Sequence, residues 1–174
     1  PLLGPAAGLR NFWQCCGASI GIAQGGGAGK YLAQWMVHGD SEINMASVDP
    51  RRFGAYADQS YTRAKSFADY HEMFETPLPG RENNAGRPAR VTPLYALLKA
   101  KGAVFTAVDG WERPKYFAPE GFAENLQYRR NTTFELVAAE CRAVRERVGI
   151  MDLSSFAKID VTGAGAAALL DRIT

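Results

Sequence analysis

The stretch that most limits how this chain can fold is Ser19-Ile20-Gly21-Ile22-Ala23-Gln24-Gly25-Gly26-Gly27-Ala28-Gly29-Lys30. Five glycines fall within the ten residues from Gly21 to Lys30. Tyr31, Leu32, Trp35 and Met36 then recur at helix spacing, and His38-Gly39 supplies a C-terminal stop. Ahead of the glycines, Ala18 to Ala23 reads as a short buried strand. The expected order is strand, glycine turn, helix N-terminus. That order leaves backbone N–H groups and the positive end of a helix dipole facing outward, and glycine lets a partner approach the backbone because no Cβ intervenes. The run therefore suits an anion or an electron-rich cofactor edge. It equally suits a tight strand-to-helix turn with close packing.

Two familiar glycine motifs fail against it. A phosphate-cradling P-loop needs Gly where Gln24 stands and Ser or Thr where Tyr31 stands. The dinucleotide spacing G-x-G-x-x-G would put its third glycine on Lys30 or on Leu32. The run is neither a nucleotide P-loop nor a primary pyrophosphate cradle.

Composition narrows the function classes. A net charge of +2 over 174 residues gives no reason to invoke nucleic acid. No apolar run reaches the roughly 18 residues a membrane span requires. Three cysteines, Cys15, Cys16 and Cys141, do not make a disulfide framework and point to a reducing compartment. With His38 and His71 the only histidines, a zinc site is not expected. The chain opens on Pro1 and stops at Thr174 inside a helical pattern from Ala164 to Ile173, so a fragment of a longer polypeptide is expected.

Asn11 to Cys16 reads as a strand apolar enough for burial on both faces, its cysteines being small core residues. Asp49-Pro50 is an N-cap followed by proline at the first helical position. Asp58 opens a second helix through Tyr70 or beyond, with Tyr61, Ala64, Phe67 and Ala68 on its apolar side. Residues 74–91 carry turn chemistry, with His71, a partly exposed helix residue, just before them. Thr92-Pro93 caps a helix that Gly102 stops, and Ala103 to Val108 reads as a strand. Gly110 to Pro119 mixes aromatics, prolines and charges, which suits an ordered loop with Trp111 and Tyr116 as packing anchors. Thr132-x-x-Glu135 is a capping box for a helix whose apolar positions are Phe134, Val137, Ala138, Cys141, Val144 and Val148. Its cations Arg142, Arg145 and Arg147 lie where the dipole favours them, on a solvated face. Lys158 to Thr162 alternates as a strand, and Gly163 turns into the last helix.

Several of these stretches carry a family resemblance. Ser19-Ile20-Gly21-Ile22, the glycines to Gly29 and Leu32-Ala33-x-Trp35 resemble the last cofactor-contacting segment of FAD-dependent amine oxidoreductases related to dimethylglycine dehydrogenase and sarcosine dehydrogenase. Gly8-Leu9-x-Asn11 before it, Asp49-Pro50-x-Arg52-Phe53, Arg90-x-x-Pro93-Leu94-Tyr95 and Gly110-Trp111-Glu112-x-Pro114-x-Tyr116-Phe117 are similar to that family's later segments. Glu140-Cys141-x-x-Val144-Arg145-x-x-Val148-Gly149-Ile150-x-Asp152-Leu153-Ser154-x-Phe156-x-Lys158-x-x-Val161-x-Gly163 resembles the start of the folate-binding aminomethyltransferase domain. Between the two named enzymes, the Gly86-Arg87-Pro88 loop and the Asp49-Pro50 start favour dimethylglycine dehydrogenase.

The resemblance implies a mixed α/β and α+β fold in three parts. Residues 1–45 would end an FAD-dependent oxidoreductase domain, 46–122 form a small α+β middle domain, and 123–174 begin an aminomethyltransferase-like domain. It implies oxidative N-demethylation of dimethylglycine or sarcosine, with FAD as redox cofactor, tetrahydrofolate as one-carbon acceptor, and an electron acceptor that the sequence does not identify. The setting would be bacterial cytoplasm or mitochondrial matrix. Cofactor contact falls on the backbone of Gly21, Ile22, Ala23, Gln24, Gly25, Gly26 and Gly27, with Ala28 and Gly29 shaping the turn and Lys30 solvated. No catalytic residue and no metal ligand is assigned. This stretch alone is expected not to hold FAD tightly. The alternatives are a non-catalytic regulatory homologue of the same architecture and a stand-alone folate-dependent aminomethyltransferase.

Overall fold

The computed structural model describes residues 1–18 and 20–174. The chain mixes helix with two separate two-stranded antiparallel sheets, as the α/β and α+β expectation requires. It divides into two compact units: Pro1–Glu75 with Asn83–Ala89, and Thr76–Glu82 with Arg90–Thr174.

In the first unit, strand β1 (Leu2–Pro5) pairs with β2 (Trp13–Cys16), setting Leu2 opposite Cys16 and Leu3 opposite Cys15. No local pattern announces β1, and β2 departs from the expected core strand. Among the described residues it has one ladder partner, and both cysteines are exposed. Helix α1 spans Gly21–His38. The helix therefore runs through the glycine stretch instead of starting after it, and Gly21 to Ala23 are helical, not a strand; Ser19 lies outside the described residues. Glycine lowers helix propensity without forbidding helix, and packing of the C-terminal half outweighs that cost. Ala28 and Leu32 are buried, and Ala28 joins Leu3 and Met45 in a small core flanked by Tyr31, Trp35 and Val48. Trp13 meets Trp35 edge-on with ring centroids 5.9 Å apart, an arrangement aromatic quadrupoles favour. Gly4 allows it: at φ +146°, a Cβ there would stand 2.8 Å from Trp35 Cζ3. Gly39 closes α1 as expected, at φ +79° with its N–H donating to the Trp35 carbonyl at 3.0 Å.

Asp49 caps the 3₁₀ turn Pro50–Arg52 by accepting from the Arg51 N–H at 2.8 Å. Arg51 also pairs with that carboxylate, which holds Asp49 below its usual range. Helix α2 (Gln59–Glu72) starts where expected, Asp58 accepting from the Tyr61 N–H at 2.8 Å. Tyr61, Ala64 and Ala68 are half-buried, but Phe67 is 67% exposed, so the packed stripe is narrower than the apolar pattern. His71 is exposed.

The second unit is built on a hairpin. β3 (Ala103–Val108) and β4 (Trp111–Phe117) are antiparallel, with Val108 opposite Trp111. The expected loop from Gly110 is thus mostly strand. Asp109 and Gly110 take φ +50° and +79°, which makes the two-residue turn whose twist matches paired strands. The register shifts between Val104, opposite Tyr116, and Phe105, opposite Pro114, which leaves Lys115 as a bulge. Pro114 is tolerated beside that bulge. Tyr116 is 3% exposed and is the anchor its sequence context suggests. The outer edge of β4 is satisfied by other partners: Glu112 N–H donates to the Arg90 carbonyl at 2.9 Å, and Phe117 N–H to Glu140 Oε1 at 2.7 Å.

Two expected caps are replaced. Short helix α3 (Tyr95–Ala100) has no side-chain cap, and the Thr92 hydroxyl instead donates to Asp152 Oδ2 at 2.6 Å. Helix α4 (Phe134–Glu146) is not opened by Thr132, which accepts from Asn125 N–H at 3.1 Å; Asn131 Oδ1 takes the Thr133 N–H at 3.2 Å. The half-buried residues of α4 are Leu136, Ala138, Glu140 and Ala143, so of the expected apolar positions Ala138 is half-buried while Phe134, Val137, Cys141, Val144 and Val148 are exposed. Lys158 to Thr162 is not a strand, having no ladder partner among the described residues, and Ile159 is 81% exposed. Helix α5 (Ala166–Ile173) ends the unit.

Candidate functional site

The glycine end of α1 opens on a cleft of about 470 Å³ within the first unit. One wall is Gly21, Ala23, Gln24, Gly25, Gly27 and Ala28. The opposing walls come from three other segments: Leu3 of β1, Cys15 and Cys16 of β2, and Ile43 to Met45 with Ser47 and Val48. Tyr31 stands one turn further along the helix. Five of the seven residues expected to face a cofactor therefore line one space. Ile22 and Gly26 do not line it, and Ile22 is fully exposed.

The geometry gives this end of the helix a distinct chemistry. Among the described residues, the first bond into the helix runs from the Gln24 N–H to the Ile20 carbonyl at 3.1 Å, and the amides of Gly21, Ile22 and Ala23 lie ahead of it. Ile20, at the cap, offers no side-chain acceptor, and no acidic residue occupies the first turn. The positive end of the dipole is thus not offset by a carboxylate on its own helix. A Cβ added at Gly21, Gly25, Gly26 or Gly29 would meet nothing within 4 Å. No internal packing requirement accounts for these glycines, although each costs helix stability.

Lys30 lies mid-helix rather than at a helix start. It forms an ion pair with Glu42, which Gln34 also holds at 3.2 Å. The pairing raises the Lys30 pKa, through its hydrogen bond and then the charge of Glu42, and lowers that of Glu42. Lys30 is not a cleft wall. Sequence reasoning missed Leu3, Cys15, Cys16, Asn44, Met45, Ser47 and Val48 as cleft residues, because chain reversals bring them there and no local spacing announces it. Among the described residues, no three His, Cys, Asp or Glu side chains gather as a metal-holding group, and no helix is long and apolar enough to cross a membrane.

The second unit holds the aminomethyltransferase-like motif from Asp152 to Lys158 as an ordered loop. Asp152 accepts from the Thr92 hydroxyl and, at 2.9 Å, from the Ser154 N–H, and hydrogen bonds from Ser154 and Thr92 keep its pKa low. Arg113 of β4 donates to Ser155 Oγ at 2.9 Å and lies over the Phe156 ring at 4.3 Å. The motif residues here hold a loop against the hairpin.

Residues 38–92 match the FAD dependent oxidoreductase central domain, and residues 94–174 match the GCVT N-terminal domain. Mouse mitochondrial dimethylglycine dehydrogenase is 38% identical over 179 residues, covering 99% of this chain and 20% of that protein. The chain thus carries matches to both domain families in succession and is similar along nearly its whole length to this dehydrogenase. Human mitochondrial sarcosine dehydrogenase is 34% identical over 195 residues, covering 95% of this chain and 21% of the relative. A further relative, the mouse mitochondrial pyruvate dehydrogenase phosphatase regulatory subunit, is 32% identical over 175 residues, covering 97% and 20%. The chain spans about one fifth of the length of these relatives.

Proposed function

We propose that the chain is a segment of a flavin-dependent oxidoreductase that oxidatively demethylates an N-methylated glycine, dimethylglycine or sarcosine, and passes the one-carbon unit to tetrahydrofolate. The observation that carries this reading is the cleft: a glycine-rich helix start whose cap residue Ile20 makes no side-chain bond, facing mainly apolar walls, in a chain 38% identical to a dimethylglycine dehydrogenase. A flavin ring fits that description. The space lies within the range of small-molecule sites and is lined mainly by apolar side chains with a few polar groups, here Gln24, Asn44 and Ser47.

When bound, a flavin supplies the redox step, accepting the hydride equivalent from the N-methyl carbon. The chain's own contribution is positioning and electrostatics. The amides at Gly21 to Ala23 stabilise negative charge placed before them without reorganising. Gly25 and Gly27 let a planar ring approach the backbone. Leu3, Tyr31, Met45 and Val48 line the cleft and would shield a bound ring from water. Tetrahydrofolate as acceptor is supported by the match to the GCVT N-terminal domain; no residue of this chain is assigned to it. The reading places the protein in bacterial cytoplasm or mitochondrial matrix.

The test is to purify the full-length polypeptide carrying this segment and record its visible spectrum before and after anaerobic addition of dimethylglycine or sarcosine. Bleaching of a bound flavin is expected; a colourless protein would end the reading. A second reading, a non-catalytic regulatory homologue, is favoured by the similarity to the phosphatase regulatory subunit. It predicts bound flavin that neither substrate reduces.

A further inference from the structure

Helix α4 leaves an apolar stripe in solvent. Phe134, Val137, Cys141 and Val144 follow one another by three, four and three residues, the spacing that keeps side chains on one face of a helix. All four are exposed. The helix is tied to the hairpin through a different residue, Glu140, whose Oε1 accepts the Phe117 N–H at 2.7 Å. The stripe continues past the helix end. Gly149 lies so close to Val144 that a Cβ there would stand 2.7 Å from Val144 Cγ2, which sets Val148, Ile150 and Met151 beside the stripe. Val148 is 81% exposed and Ile150 97%. Single exposed apolar residues are ordinary, but a row of this length marks an interaction surface. The amount of exposed surface also exceeds that of a self-contained fold. The chain exposes 13161 Å² at a mass of 18.9 kDa. A folded monomer of that mass exposes about 8,300 Å², and two independent units of half the mass about 10,000 Å² together. Counted even as two units, roughly 3,000 Å² is surplus, which is the size class of an obligate interface.

We propose that the α4 stripe, with Val148, Ile150 and Met151, is an internal interface of the full-length protein, covered by the polypeptide that follows Thr174. The inference rests on reading the chain as a segment of a longer protein and does not depend on flavin. Two observations name the occupant. The stripe lies within residues 94–174, which match a domain described as N-terminal, so the complementary part of that architecture belongs to following chain. This chain covers 20% of one relative and 21% of another, which leaves ample polypeptide to cover it. Removing these side chains from water is the driving force.

Cys141 sits in the middle of the stripe and reports on it without any substitution. The experiment treats the full-length protein with iodoacetamide, native and in urea, and follows Cys141 by mass spectrometry. A covered thiol reacts only through local opening, so native labelling should be at least about a hundredfold slower than in urea. Labelling at close to the urea rate would overturn the proposal. A photoreactive benzoylphenylalanine placed at Val144 then identifies what lies on the stripe. Cross-links within one molecule to peptides beyond Thr174 are expected. Cross-links to peptides ahead of Pro1, or between heavy- and light-isotope copies in a mixture, would assign the stripe to another occupant and overturn the proposal; so would the absence of any cross-link. Flavin absorbance takes no part in these readouts. A colourless full-length protein would end the flavin reading and leave the interface standing, whereas a coding sequence that stops at Thr174 would end the segment reading and the interface together.

Discussion

Replacing Gly25 and, separately, Gly26 with alanine separates the helix from the site it would serve. Both glycines lie inside α1, neither has positive φ, and a Cβ at either would meet nothing within 4 Å. Glycine costs about 0.8–1.0 kcal/mol relative to alanine in a helix interior, so each substitution should stabilise the first unit by about 1 kcal/mol. In a unit of this size that is a rise in Tm of about 4–8 °C. The two then part company. Gly25 lines the cleft and Gly26 does not. A methyl group forced against a closely packed ring costs about 1–3 kcal/mol, so Gly25→Ala should weaken flavin binding by about 5- to 150-fold. Gly26→Ala should leave the affinity unchanged. The assay pairs thermal unfolding of the flavin-free full-length protein with a titration of flavin fluorescence. Equal loss of affinity in both variants, or destabilisation of the flavin-free protein by Gly25→Ala, would refute the assignment of the cleft-facing side.

Three further outcomes are expected. Gly102→Ala should destabilise the second unit, because φ is +87° and the new Cβ would lie 2.4 Å from the Ala118 carbonyl oxygen; the left-handed conformation alone costs about 1–2 kcal/mol, read as a lower urea midpoint. The Tyr116 phenol is pushed up to about 12, first by burial and then by the Glu124 carboxylate, whose Oε2 accepts its hydroxyl at 3.2 Å, with Glu82 adding to it. The folded state thus holds this proton more tightly than the unfolded state does. Stability is retained below pH 10 and falls by roughly 2–3 kcal/mol as pH rises toward 12, and Tyr116→Phe should flatten that fall in alkaline denaturation curves. Thr92 is 5% exposed and bonds to the Asp152 carboxylate, so a double-mutant cycle of Thr92→Val and Asp152→Asn should give a coupling of about 0.5–3 kcal/mol; additive effects would mean the contact carries no stability. Asp152, whose pKa is depressed, should lose its contribution as pH falls below the usual carboxylate range.

Local chemistry alone determined several elements. Asp58 and Asp49 cap the turns on their C-terminal side because a short carboxylate reaches the amides two or three residues on, whatever lies elsewhere. Gly39 and Gly102 stop their helices because a left-handed residue is easiest for glycine. The glycine run, the asymmetry of the Asp49-Pro50 start and the motif residues from Asp152 to Phe156 were enough to indicate the resemblance, since they are read residue by residue. Tertiary structure decided what depends on partners distant in sequence. Trp111 to Phe117 became strand because Ala103 to Val108 folded back along it, and Lys158 to Thr162, with equal alternation, stayed irregular for want of a ladder partner among the described residues. Thr92 and Thr132 gave up their expected capping roles to Asp152 and Asn125, which are adjacent only after folding. The glycines are helical because Ala28 and Leu32 anchor the helix behind them, and Cys15 and Cys16 are exposed instead of core because their strand has one ladder partner among the described residues. Sequence spacing fixes which residues can share a turn or a helix face; which side of that face meets another segment is set by packing free energy summed over the whole unit.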